Sequence, residues 1–258
     1  MALAGCAQPA GRGRIVSTNP CADALLVRLV KPDRIAAISH YSRDPAASSI
    51  PVALARRFRA TAGTAEEVVA LRPALVLAST FTPPATREAY AQAGLRVVYL
   101  DSPTTVAASV AQVRQVAAAV GARGRGEAMV AAITASVASP PRRNPVREED
   151  DPAALLFIAG DLATGSGTLL DELLTRAGFR NAAAGYGLRY TGRIPLERLV
   201  AQPPAVVIAP GTDRTAALRQ RLLPATAQAA FPRALVNCGG PAIPPALARL
   251  RAIRASLR

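Results

Sequence analysis

The run Glu66-Glu67-Val68-Val69-Ala70-Leu71-Arg72-Pro73-Ala74-Leu75-Val76-Leu77-Ala78 returns later in the chain as Glu197-Arg198-Leu199-Val200-Ala201-Gln202-Pro203-Pro204-Ala205-Val206-Val207-Ile208-Ala209. Glu, Ala, Pro, Ala, Val and Ala recur at one constant offset. Each copy reads as a short helix with a carboxylate in its first turn, a proline that stops it, and a buried apolar strand. Two copies of one helix-proline-strand unit point to a chain built as two α/β halves.

The sequence around the first copy fits that reading. Residues 14–17 (RIVS) form a short strand entering a polar turn, and residues 23–29 (DALLVRL) are apolar at helical spacing. Residues 34–39 (RIAAIS) make a second strand, and Thr64 is placed to cap the repeat helix. Residues 84–93 read as a helix stopped by Gly94, and residues 95–100 (LRVVYL) as another strand. Alternation of this kind specifies a parallel sheet.

Around the second copy, residues 153–159 (AALLFIA) are a strand, and residues 168–178 a helix with Thr168 as cap. Residues 215–222 are a helix, residues 235–237 a short last strand, and residues 244–257 a closing helix. Between the halves lie two helical stretches, 105–120 and 123–139, with no strand between them, and then a Pro-, Arg- and acid-rich loop. The expected organisation is a flexible lead-in at 1–13, an N-terminal lobe at 14–121, a helix at 122–139, a polar loop at 140–152 and a C-terminal lobe at 153–258. Lobes joined by helix rather than by a sheet crossover imply a ligand cleft between them.

Composition narrows the function. The chain of 258 residues carries 31 basic and 17 acidic residues, a net charge of +14. Lys31 is the only lysine, and the arginines are scattered through an Ala-, Pro- and Gly-rich sequence, the pattern of a GC-rich coding bias. Aromatics are 4% with no Trp, poor equipment for stacking bases, so nucleic acid is not the expected partner. His40 is the only imidazole, no G-x-S-x-G or P-loop is present, and Cys6, Cys21 and Cys238 form no C-x-x-C. No catalytic residue, resident metal or cofactor is expected. The alternative is a cytoplasmic α/β enzyme binding a phosphorylated ligand at the Gly165-Ser166-Gly167-Thr168 loop, a partial glycine fingerprint that opens a helix.

Residues following strand C-termini are the candidates for ligand contact. They are Thr18, Asn19, Cys21, His40, Tyr41, Arg43, Thr80 and Phe81 in the first half, and Asp161, Thr164 and Cys238 in the second. The stretch 185–193 (GYGLRYTGR) adds Arg189, Tyr190 and Arg193, whose ring and guanidinium groups suit a flat or anionic ligand.

With these motifs in their order, residues 14–258 resemble the class III periplasmic substrate-binding proteins of ABC importers, which carry ferric siderophores, cobalamin or haem. The carriers are Arg14-Ile15-Val16-Ser17, the run from Gly63 to Leu77, Gly167-Thr168-Leu169-Leu170-Asp171-Glu172-Leu173-Leu174 with Gly178 and Asn181, and the second Glu-to-Pro run. The resemblance implies two Rossmann-like lobes with central parallel sheets, joined by a single long bridging helix. It implies a non-enzymatic, monomeric, periplasmic protein that delivers a metal chelate to a membrane permease dimer. Glu66 and Glu197 take the places of the carboxylates that dock on permease arginines. Tyr41, within Ser39-His40-Tyr41-Ser42-Arg43-Asp44-Pro45, takes the place of a tyrosine that faces a corrin. Lacking Trp, and with Arg43, Arg189 and Arg193 available, the chain is expected to prefer a ferric siderophore, then cobalamin, then haem. Leu3-Ala4-Gly5-Cys6 resembles a lipobox with Cys6 as the lipidated residue. Only five residues precede it, so it is either the end of a leader or a chance match. Cys21 and Cys238 then form a disulfide or remain free thiols.

Overall fold

The computed structural model describes residues 13–138, 151–211 and 214–257. The chain divides into two compact units. Unit 1 holds the residues up to Ser102 together with Ala111–Val130, and unit 2 holds Pro103–Val110 and Ala131–Arg258.

Unit 1 is built on β1 (Ile15–Ser17), β2 (Ile35–Ser39), β3 (Ala60–Thr61), β4 (Leu75–Ser79) and β5 (Val97–Leu100). Its helices are α1 (Pro20–Leu29), α2 (Val52–Ala55), α3 (Ala65–Ala70) and α4 (Pro84–Gln92), with parts of α5 (Val106–Ala119) and α6 (Arg123–Ala138). The sheet order is β3-β2-β1-β4-β5 and every pairing is parallel. Burial follows this order. β1 and β2 are buried at every residue, and β4 at all but Ser79, as strands covered on both faces must be. Edge strand β5 is buried only at Leu100. Val16, Ala36, Val68, Val76 and Tyr90 make one core cluster of this unit.

Local chemistry sets the helix ends. Asn19 Oδ1 accepts the amides of Cys21 and Ala22 at 2.8 and 3.4 Å and starts α1. Thr64 Oγ1 accepts from the Glu67 amide at 3.3 Å and starts α3.

Unit 2 carries β6 (Ala153–Ala159), β7 (Leu162–Thr164), β8 (Arg180–Asn181), β9 (Thr191–Arg193), β10 (Val206–Ala209) and β11 (Ala227–Ala230). Its helices are α7 (Leu169–Arg176), α8 (Leu196–Ala201), α9 (Arg214–Leu222) and α10 (Ile243–Ser256). The sheet order is β11-β10-β6-β7-β9, with β8 also paired to β6. β6, β8, β10 and β11 are parallel, whereas β7 runs antiparallel to both β6 and β9. The second sheet is therefore mixed: Gly160 and Asp161 turn the chain straight back on β6. Leu155, Phe157, Ala183, Leu199 and Val207 lie at the centre of this unit's core.

One strand expected from sequence is absent. Residues 235–237 are not extended: Arg233–Leu235 form a 3-10 turn after Pro232, and the last strand is Ala227–Ala230. The triplet Leu235-Val236-Asn237, with only two apolar residues, was too short to outweigh the proline before it and the glycines after it. Ala-Gln-Ala-Ala pairs as an edge strand with alternating burial. The repeat is preserved: α3-β4 and α8-β10 are the same helix-proline-strand unit, once in each unit.

Candidate functional site

In unit 1 the strand order changes direction between β1 and β4, and the loops following those strands flank this switch point. Thr18 and Asn19 follow β1, His40 and Tyr41 follow β2, and Thr80 and Phe81 follow β4. Because the three strands are parallel neighbours, these residues share one edge of the sheet. Thr18 is held there by its amide, which donates to the Leu77 carbonyl at 2.9 Å.

The exposed members are His40, Tyr41, Thr80 and Phe81, three of them with aromatic rings. Tyr41 is 52% and Phe81 77% accessible, although most large apolar side chains of the protein are buried. Exposed rings at a sheet switch point are what a flat ligand would cover. His40 Nδ1 lies 3.2 Å from the Thr61 carbonyl, and its ring centroid lies 4.0 Å from that of Tyr41. A protonated Nδ1 donating to that carbonyl leaves Nε2 with its lone pair free, the tautomer used by metal-ligating histidines.

A buried carboxylate that the strand-end rule does not select supports this loop. Asp23, on α1, is fully buried. Its Oδ2 accepts from the Ser42 hydroxyl at 2.6 Å and the Ser39 amide at 3.0 Å. Burial pushes the Asp23 carboxyl up to about 7, against the downward pull of the Ser17 and Ser42 hydroxyls and the Ser39 amide. The available sequence signal was an acid inside the apolar run 23–29. Arg87 and Asp101 were also missed. Thr80 donates its hydroxyl to Asp101 Oδ1 at 3.2 Å, and Arg87 donates to the Thr80 carbonyl at 2.7 Å.

Two expected contacts of unit 1 are committed to the fold. Asn19 spends its acceptor on the α1 cap. Arg43 donates to the Phe58 carbonyl.

In unit 2, Asp161 sits in the β6-β7 turn, 3.7 Å from Arg193 Nε, and both are largely exposed. Thr164 is 1% accessible, and its hydroxyl pairs with that of Thr168 at 2.7 Å, so it braces the turn and does not face solvent. Arg189 and Tyr190 are exposed on the segment leading into β9, Tyr190 at 68%. Tyr190 has φ of 57°, a left-handed conformation uncommon for a bulky residue. Its amide donates to the Ser166 carbonyl at 3.0 Å. A Cβ on Gly165 would lie 1.7 Å from the Tyr190 carbonyl oxygen. Only glycine allows that backbone approach.

The Gly165–Thr168 loop is not an open phosphate cradle. Thr168 Oγ1 accepts the Asp171 amide at 3.2 Å, and Asp171 Oδ2 accepts the Gly167 amide at 3.0 Å. These two side chains satisfy the α7 start reciprocally and place a carboxylate where a phosphate would sit. Asn181 holds the same Asp171 through Oδ1 at 2.8 Å. This geometry removes the basis of the phosphorylated-ligand reading.

Cys21 and Cys238 are each disulfide-bonded. Cys6 and the polar loop at 140–150 lie outside the described residues. Among the described residues, no group of three or more His, Cys, Asp or Glu could hold a metal ion, and no helix is long and apolar enough to cross a membrane.

Glu66 and Glu197 are exposed in the first turns of α3 and α8. The neighbouring Glu67 is used internally. It accepts the Thr61 hydroxyl at 2.6 Å and the Ala62 amide at 2.7 Å, which hold its carboxyl below the usual range.

The family model for periplasmic binding proteins matches residues 15–227. The chain belongs to the periplasmic binding protein family. Solved members of similar fold include the periplasmic haem-binding protein RhuT from Roseiflexus sp. RS-1, at TM-score 0.68 and 21% identity over 96% of this chain and 98% of that one. The vitamin B12-binding protein BtuF of Vibrio cholerae aligns at TM-score 0.69 and 17% identity, over 95% and 97% of the two chains. The Haemophilus influenzae molybdate-binding protein MolA aligns at TM-score 0.78 and 17% identity, over 96% and 88%. No curated protein sequence matches significantly. This periplasmic binding protein, like its family, is a solute binder and not an enzyme.

Proposed function

We propose that this binding protein captures a flat metal chelate in the periplasm and hands it to the permease of an ABC importer. The observation that carries the reading is the His40–Tyr41 pair at the unit 1 strand ends. Its imidazole is oriented by the Thr61 carbonyl, its rings are 4.0 Å apart, and Phe81 is exposed on the same sheet edge. A free Nε2 and a phenol beside aromatic faces suit a tetrapyrrole, with the metal taking an axial ligand and the rings taking the macrocycle. Within this reading haem comes before cobalamin, the reverse of the order expected from composition.

A ferric siderophore is the second reading. It is favoured by the exposed guanidinium groups of Arg189 and Arg193, which match an anionic chelate without needing an axial ligand.

Titration of the full chain with haem, cobalamin and ferric siderophores separates the two. The first reading expects a haem absorbance shift that His40→Ala or Tyr41→Phe alters. Binding of a ferric siderophore alone, unaffected by either substitution, overturns it in favour of the second reading.

The docking role follows the repeat. Glu66 with Val69, and Glu197 with Val200, present the same exposed acid-and-valine pair on each unit, the valines at 38% and 46% accessibility. Paired, matched surfaces suit a permease dimer whose two subunits offer one contact each.

A further inference from the structure

The 3-10 turn Pro32–Arg34 leads into β2, so the segment between α1 and β2 sits at the opposite end of the unit 1 sheet from the His40–Phe81 edge. There a cavity of about 430 Å3 is lined by Val30, Lys31, Arg34, Arg123, Gly124 and Arg125, among others. Four of these side chains are cationic, and none of the lining residues is acidic. Glu127, one turn along α6, is engaged by Arg114 at 2.9 Å.

The cations differ in role. Arg34 donates to the Val120 carbonyl at 2.9 Å and to the Gly13 carbonyl at 3.3 Å. Arg125 donates to the Leu29 carbonyl at 2.7 Å. These two are fixed in place by the fold. Lys31 and Arg123 are exposed at the cavity and available to an incoming group.

Four positive charges gathered around one concavity repel one another unless an anion joins them. Fixed guanidiniums lose little freedom when they bind, and a mobile ammonium and guanidinium can close on the ligand. The volume is at the low end of small-molecule sites, large enough for one phosphate and a small attached body.

We propose that this cavity binds a phosphate group, carried either by a free phosphorylated solute or by an anionic lipid headgroup. The site is separate from the chelate site and does not depend on it. Its chemistry is charge-assisted hydrogen bonding from Lys31 and Arg123 over the preset Arg34 and Arg125.

The test uses the full chain, inorganic phosphate in a calorimeter, and flotation with phosphatidylcholine vesicles with and without phosphatidylglycerol. The comparison variants are Lys31→Glu with Arg123→Glu at the cavity, and Arg56→Glu with Arg57→Glu as an equal charge change on exposed residues elsewhere. Wild type is expected to bind at least one probe. The cavity pair should weaken that binding on the order of tenfold or more, and the control pair should leave it in place. Phosphate binding that follows this pattern assigns a free phosphorylated solute. Binding only to vesicles with phosphatidylglycerol, following the same pattern, assigns the headgroup. Failure of wild type to bind either probe, survival of binding in the cavity pair, or equal loss in the control pair overturns the proposal.

Discussion

Ser42 donates its hydroxyl to the buried carboxyl of Asp23 at 2.6 Å, tying the loop that carries His40 and Tyr41 to the core of helix α1. Asp23 Oδ1 is buried without a hydrogen-bond partner, so the ionised form lacks part of its solvation. The cost of this builds up as pH rises from 3.8 to about 7. The folded carboxyl titrates at about 7 against an ordinary value of 3.8. Between those values the folded state holds a proton that the unfolded chain has lost. The Asp23 contribution to stability is therefore complete below pH 3.8, declines as pH rises toward about 7, and levels off above it. Its slope cannot exceed about 1.4 kcal/mol per pH unit. Asp23→Asn removes this component. Urea unfolding of both proteins from pH 5 to 8 should show wild type losing stability relative to Asp23→Asn as pH rises. A difference independent of pH would mean that Asp23 does not titrate as its burial requires.

The approach of Gly165 to Tyr190 leaves no room for a methyl group. Gly165→Ala would place Cβ 1.7 Å from the Tyr190 carbonyl oxygen. Backbone on both sides must move, and the segment that presents Arg189, Tyr190 and Arg193 moves with it. A loss of about 2 kcal/mol or more in unfolding free energy is expected, with weaker ligand binding. Ser166→Ala, a neighbour without that contact, should change both far less. Equal effects from the two substitutions would argue that the close approach is not the cause.

The repeat predicts a separation of binding from transport. Glu66→Ala combined with Glu197→Ala should leave ligand affinity and thermal midpoint unchanged while uptake through the cognate permease is lost. Val69→Asp with Val200→Asp should do the same, because both valines are already solvent-facing and their replacement opens no cavity. A drop in affinity in either pair would move these residues from the docking surface to the ligand site.

The large apolar signals were legible in the sequence and the short polar ones were not. β6 coincides with the apolar run 153–159 because every residue there favours burial. The helix-proline-strand repeat was readable because a proline marks the same turn in both copies. β7 and β9 were not readable: each is three residues long, and their pairing with one another is decided by contacts distant in sequence. The strand-end rule named residues that share one edge of the unit 1 sheet, but it does not give the direction of each side chain. It selected Asn19 and Thr164, whose polar atoms complete a helix cap and a turn. It also selected Arg43, which turns back to the Phe58 carbonyl. It passed over Asp23, whose position in an apolar helix marked it as part of the core. Tyr41, Phe81 and Tyr190 were identified correctly as strand-end or loop aromatics, and their exposure is information that only the folded chain supplies.

The state of the cysteines gives a final expectation. Cys21 lies in the first turn of α1, two residues after the Asn19 cap, and Cys238 lies just before the 3-10 turn Gly240–Ala242. Both are disulfide-bonded, the form expected in an oxidising compartment and not in the cytosol. Protein denatured without reductant and treated with iodoacetamide should gain no label at either position, and both should label after reduction. Reduction should also lower unfolding free energy by about 2–4 kcal/mol, because the covalent link restricts the unfolded chain. Labelling of Cys21 or Cys238 before reduction, in protein recovered from its native compartment, would remove the oxidised state. It would also remove the argument from cysteine chemistry for a periplasmic location, leaving that location to rest on the family alone.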